Sequence, residues 1–185
     1  WVFLFLIPAI GMKMLSDEKR TGTLEWLLTK PISEWQIIMG KYFAGMTLIL
    51  FSLIPTFIYV ITIFYFGNPK GNIDIGATIG SYIGVFLMAS CYMSISLFTS
   101  AISENSIIAF VSAVLLCLFF YSGFDQIANL KDLEFSGLFW MSLGINEHYN
   151  SISRGVIDFS DITYFFVFSF IFLSSAQIIL KSRNW

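Results

Sequence analysis

The chain has 185 residues, 57% of them hydrophobic, and only 22 carry formal charge (10 Lys+Arg and 12 Asp+Glu). A soluble domain carries charge at about a quarter of its positions, so a charged fraction of 12% with a mean hydropathy of +0.78 leaves too little polar surface for one. A net charge of −2 without a basic block gives no footprint for nucleic acid, and long apolar runs are unlike the ~10-residue alternating segments of an outer-membrane barrel.

The roughly 105 apolar positions match the ~100 that five transmembrane helices of ~20 residues use. The runs fall at 1–15, 36–66, 76–102, 106–124 and 161–180, which predicts an all-α, polytopic helical membrane protein in a single domain. The first run opens at Trp1 inside an apolar stretch, without an initiator Met, and is expected to belong to a longer protein lacking its N-terminal helix here. Asp17-Glu18-Lys19-Arg20 is unlike the small-residue cleavage site of a signal peptide. The second run exceeds a perpendicular span, so Trp35 and Lys41 are expected at the interface and Pro55 at a kink.

Lys13, Lys19, Arg20, Lys30, Lys41, Lys181 and Arg183 flank one set of alternating loops, and Lys70, Lys131 and Arg154 the other. This asymmetry predicts that segment 16–35 and the C-terminus are cytoplasmic and segment 125–160 is external.

Segment 16–35 reads as two long helices separated by a short one. Thr23 is a candidate N-cap with Glu25 in the first turn. Pro31 biases Lys30 toward an extended conformation and ends the helix. Ser33 with Gln36 forms a capping box that starts the next membrane helix. Leu24, Leu27 and Leu28 share one face of the short helix. That face predicts either rest on lipid or docking of a cytoplasmic partner.

The pattern Glu18-x-x-x-Gly22-Thr23-Leu24-Glu25-x-Leu27-Leu28-Thr29-x-Pro31-Ile32-Ser33, followed by Ile37-Ile38-x-Gly40-Lys41, resembles the first cytoplasmic loop of ABC-2 type transporter permeases. The resemblance implies a six-helix permease subunit, five spans of it visible here, that dimerises with a second permease subunit and docks a separate ABC ATPase through a coupling helix. On that implication Glu18, Arg20, Gly22, Thr23, Leu24, Glu25, Leu27, Leu28 and Pro31 form the ATPase-coupling segment, with Leu24 and Leu28 in the partner's groove and Glu18, Arg20 and Glu25 at its rim. ATP and Mg would be held by the partner, and this chain would bind no cofactor. The resemblance further implies a multi-pass protein of the bacterial inner membrane, surrounded by lipid.

A second matching stretch runs from Ser142 to Asp158. Asn146 is a candidate cap with Glu147 in the first turn, and Arg154-Gly155 a last turn and stop. Ile145, Tyr149 and Ile152 line one side of the resulting short outer helix, which is expected in or near the outer leaflet. A similar stretch precedes the last span of ABC-2 permeases, where short re-entrant helices lie; the family commonly carries Pro where this chain has Gly144. The combination of Gly144-Ile145-Asn146-Glu147-His148-Tyr149 with the Thr21-Gly22-Thr23 loop most resembles the permease subunit of the gliding-motility ABC transporter of the Bacteroidetes.

Other residues point away from chemistry. His148 is the single histidine, so no multi-histidine metal site is expected, and an interfacial role is favoured over a catalytic one. Gly40-Lys41 is followed by Tyr42 and position 35 is Trp, so no phosphate-binding loop is present and the chain is not the ATPase. The span interiors lack charged residues of the kind ion-coupled carriers use. Gly76, Gly80 and Gly84 repeat every fourth position and predict a packed helix face, while Ser90, Ser94, Ser96 and Ser100 are expected to hydrogen-bond neighbouring helices. Cys91 and Cys117 read as small buried hydrophobes. The reading is therefore a permease subunit of an ATP-driven exporter or motility machine; the alternative is a membrane scaffold that transports nothing, and an intramembrane enzyme ranks behind both. The cargo is not legible.

Overall fold

The structure is a computed structural model; it describes residues 1–71, 73–128 and 140–182, with Leu28 described by its backbone alone. Lys131 and Arg183 of the charge asymmetry lie outside the described residues. Nine α-helices are assigned among the described residues: α1 (Val2–Arg20), α2 (Thr23–Leu28), α3 (Glu34–Leu53), α4 (Phe57–Phe66), α5 (Ile75–Ile102), α6 (Ser106–Leu118), α7 (Phe124–Ala128), α8 (Ile145–Ser153) and α9 (Phe159–Lys181). A 3-10 turn at Ile54–Thr56 joins α3 to α4, and a π turn at Phe119–Gly123 joins α6 to α7. No strand occurs among the described residues.

Helices α3, α5, α6 and α9 start where polar side chains satisfy the first free amides. Ser33 Oγ accepts from Gln36 N at 3.3 Å while Gln36 Oε1 accepts from Ser33 N at 3.0 Å, the expected capping box. Asp74, Asn105 and Asp158 cap α5, α6 and α9 in the same way. Pro55 sits in the 3-10 turn, which breaks the long second run at the expected place.

Four described segments are long and apolar enough to cross a membrane: Glu34–Phe66, Ile75–Ile102, Ser106–Ala128 and Phe159–Lys181. They match four of the five expected spans. The difference is α1, whose uninterrupted apolar part ends at Met12 and which continues as helix through Lys13, Asp17, Glu18, Lys19 and Arg20.

Helix α5 is the centre, buried at nearly every position from Met88 to Ala101, with α1, α3, α6 and α9 packed around it. Tyr92, Met93, Ile95, Leu97 and Phe165 fill the core. The buried serines bond neighbouring helices as expected: Ser90 meets Ser169 of α9 at 3.3 Å, and Ser96 and Ser100 reach backbone atoms of α1. Ser94 departs from that expectation and donates to its own helix at Cys91 O. Cys91 and Cys117 are both buried and free.

Candidate functional site

At the end of the molecule carrying α2, the chain reverses between two long helices. Gly22 makes the reversal with φ 72°, a left-handed conformation that costs glycine no side-chain clash. Gly22, not Thr23, is the N-cap of α2. Thr23 is displaced from capping because its hydroxyl already bonds Thr21 Oγ1 at 2.9 Å and the Glu18 carbonyl at 3.3 Å, closing the turn onto α1.

Leu24 of α2 turns inward. Leu24 is 1% exposed and belongs to the hydrophobic core, and Leu27 is half-buried. Leu24 is therefore not an anchor for a partner's groove, since the interior of its own chain, on the α1 side, already covers it. The side chain of Leu28 lies outside the described residues. What α2 presents outward is Trp26, 66% exposed, with Glu25 beside it and Pro31 and Ile32 following. Lys30 Nζ sits 4.6 Å over the Trp26 ring, a cation–π contact that holds the indole upright. Sequence reasoning missed Trp26 because it falls off the leucine stripe. The available signal was a large aromatic on the nominally polar face.

Glu18 also departs from its expected place at the rim. Its Oε1 accepts from Lys41 Nζ at 2.5 Å, and the same ammonium donates to the Met14 carbonyl at 2.6 Å. Lys41 thus joins α3 to α1 across the base of the α1–α2–α3 hairpin, while Glu18 Oε2 is buried with no hydrogen-bond partner among the described residues. Arg20 remains exposed.

At the opposite end, α8 lies directly on the glycine stripe of α5. A Cβ on Gly80 would stand 2.3 Å from the Ile152 carbonyl oxygen, and one on Gly84 3.1 Å from the Tyr149 ring. Gly155, at φ 86°, completes the contact, because a Cβ there would lie 2.9 Å from the Gly76 carbonyl carbon. Gly80 and Gly84 thus lie against α8 of the same chain, whereas Gly76 is exposed and a Cβ there would meet only Asp74 Oδ1 at 3.3 Å.

The rest of α8 is held by polar contacts. Asn146 does not cap it: Gly144 does, in an extended conformation, and the Asn146 amide instead donates to Asp125 Oδ2 at 2.7 Å. His148 Nδ1 lies 2.7 Å from Asp161 Oδ1, its Nε2 2.9 Å from the Ser142 carbonyl, and its ring stacks on Tyr164 at 3.9 Å. Tyr164 in turn donates to the Leu143 carbonyl at 2.7 Å. The second imidazole nitrogen faces a backbone carbonyl rather than a hydroxyl or thiol, so the His148–Asp161 pair fastens α8 to α9 and lacks the geometry of a nucleophile's base. Glu147 and Arg154 are exposed. No group of three or more metal-ligating side chains occurs among the described residues.

Between the two ends, an apolar cleft of about 540 Å³ runs along α3, α5 and α9, walled by Trp35, Phe43, Phe86 and Phe170 with Ser90 and Ser169 among its lining.

The sequence pattern of the family described as ABC-2 family transporter protein matches residues 2–169, a stretch that includes both ends just described. The chain belongs to that family. No curated protein matches it. As an ABC-2 family member it is a multi-pass membrane component of a transport system and is not the system's ATPase. In this ABC-2 protein the short helices α2 and α8 occupy opposite ends of α5, joined by a buried core of side chains.

Proposed function

We propose that the chain is the permease subunit of an ABC exporter, with α2 as the element that docks a separate cytoplasmic ATPase. The observation that carries this reading is the two-sided character of α2. Leu24 is fixed inside the chain, while Trp26, braced by Lys30 and flanked by Glu25 and Ile32, faces outward from between two long helices. Outward-facing aromatic anchors dominate the binding energy of such contacts. The permease works as a dimer with a second permease subunit, binds no nucleotide itself, and receives the effect of ATP and Mg on the ATPase through α1 and α3. It resides in a bacterial inner membrane with α2 on the cytoplasmic side. The resemblance of the loop and outer-helix residues to gliding-motility permeases makes a motility or secretion machine the finer assignment.

The test is copurification of the ATPase encoded with this chain, and its hydrolysis in reconstituted membranes. Trp26→Asp should leave insertion and folding intact while association falls by at least 30-fold, corresponding to about 2 kcal/mol. Full association of this variant would return the chain to the scaffold reading.

A further inference from the structure

We propose that the cleft between α3, α5 and α9 is a binding site for one hydrocarbon chain of a membrane lipid, taken from the leaflet on the α2 side. Such a site requires that the three helices span a membrane, and it is independent of what docks on α2.

The location decides what can enter. All three walls belong to segments long and apolar enough to cross a membrane, and the mouth is edged by exposed Phe43, Phe166, Val167 and Phe170. An opening in the flank of a span faces the hydrocarbon of the bilayer, so the molecules that reach it are lipids.

The dimensions select the part of the lipid. From Trp35 to Met46 the cleft follows α3 for ~16 Å, the depth of one leaflet in a hydrocarbon core of ~30 Å. Its volume of about 540 Å³, spread over that length, leaves a channel ~6 Å across. A helix of a second copy, ~10–12 Å wide with its side chains, cannot enter. One extended hydrocarbon chain can. Trp35 stands in the first turn of α3 between Glu34 and Gln36, in edge contact with Phe170 at 5.9 Å. Indoles favour the membrane–water interface, which puts the polar end of the lipid at Trp35 and its methyl end toward Phe86 and Phe166.

The chemistry of the wall agrees. Its three hydroxyls are closed on one another: Ser90 meets Ser169 at 3.3 Å, and Tyr42 bonds both. Ser90 donates to Leu87 O of its own helix, and Ser169 Oγ lies 3.7 Å from Cys91 Sγ. No buried nitrogen or oxygen of the wall lacks a partner among the described residues. A polar molecule would find no free group to orient it there, and an apolar cavity stays dry. What the rings of Phe43, Phe86, Phe166 and Phe170 offer is contact with hydrocarbon. A chain in the cleft becomes part of the packing that holds α3 to α5 and α9.

Photocrosslinking reads the site on the full chain in vesicles of phosphatidylethanolamine and phosphatidylglycerol, doped with a phosphatidylethanolamine that carries a diazirine on its acyl chain. Per exposed apolar side chain, crosslinks mapped by peptide should be at least fivefold denser on 39–46 and 166–173 than on 107–118 of α6, which has exposed apolar residues outside the cleft. Val167→Trp fills the mouth and should lower the cleft crosslinks at least fivefold. Val111→Trp on α6, at a position 49% exposed against 51% for Val167, should leave them unchanged. Met39→Trp fills the α3 wall and should act like Val167→Trp. Equal crosslink density on the two surfaces overturns the site, and so does undiminished cleft labelling in either tryptophan variant that melts like the wild type. Crosslinks from the cleft to a second copy of the chain in place of lipid also overturn it. If both tryptophan variants fail to fold, the wild-type ratio decides alone.

Discussion

The carbonyl oxygen of Ile152 occupies the space where a side chain on Gly80 would begin, with only 2.3 Å to an ideal Cβ. Both partners are backbone, so neither yields by rotating a side chain. Gly80→Leu should destabilise the chain by about 1–3 kcal/mol through overpacking and loosen α8 from α5. Gly40 is the control. Nothing stands within 4 Å of a Cβ there, so Gly40→Ala in the same helical setting should be neutral or stabilise by up to ~1 kcal/mol. Thermal unfolding in one detergent compares the two; equal melting points would show that the glycine contact does not hold α8.

His148 and Asp161 fasten the same helix from its other side. His148→Ala removes the imidazole contacts to Asp161, Ser142 and Tyr164 and leaves a carboxylate that is 7% exposed without its partner. The expected loss is about 1–3 kcal/mol, the cost of an abandoned buried polar group. In a double-mutant cycle with Asp161→Asn the two losses should add to clearly more than the double variant shows. Strict additivity would separate the pair.

At the α2 end, a substitution at buried Leu24 and one at exposed Glu25 should differ in kind. Leu24→Asp should lower the yield of folded protein because it buries a charge in the core. Glu25→Ala should leave folding unaffected and change ATPase association by only about 0–1 kcal/mol, the range of an exposed charge pair. Expression and binding measured on both variants check this, and a folding defect in Glu25→Ala with none in Leu24→Asp would reverse the assignment of the two faces.

The orientation is tested by labelling, at positions the structure makes suitable. Thr21 is exposed near α2 and Val156 is 64% exposed beyond α8. In intact cells an impermeant thiol reagent should modify Val156→Cys and spare Thr21→Cys. The opposite pattern would invert the topology.

How much of this was legible in the sequence follows from the range of each interaction. Ser33 with Gln36 acts within one turn, and its capping box is present; of the glycines at 76, 80 and 84, the second and third lie against α8 while Gly76 is exposed. Leu24 was placed on the correct face, yet a stripe of leucines does not say whether its own chain or a partner covers it. Glu18, Asn146 and His148 were misplaced or unexplained because their partners return from elsewhere: Lys41 is 23 residues on, Asp125 is 21 back and Asp161 is 13 on. Those pairings took Glu18 away from the rim and Asn146 away from the helix cap. Thr23 failed locally, because Gly22 alone tolerates the left-handed turn that α2 needs.

The two cysteines carry a consequence for the environment the protein tolerates. Both are enclosed by the core on separate helices, Cys91 on α5 and Cys117 on α6, and the chain has no third. A thiol is oxidised or alkylated as the exposed thiolate, so the folded chain is indifferent to the redox state on either side of the membrane. Reducing agents should leave its mobility and melting unchanged, and the native protein serves as its own blank whenever a single cysteine is introduced at the surface.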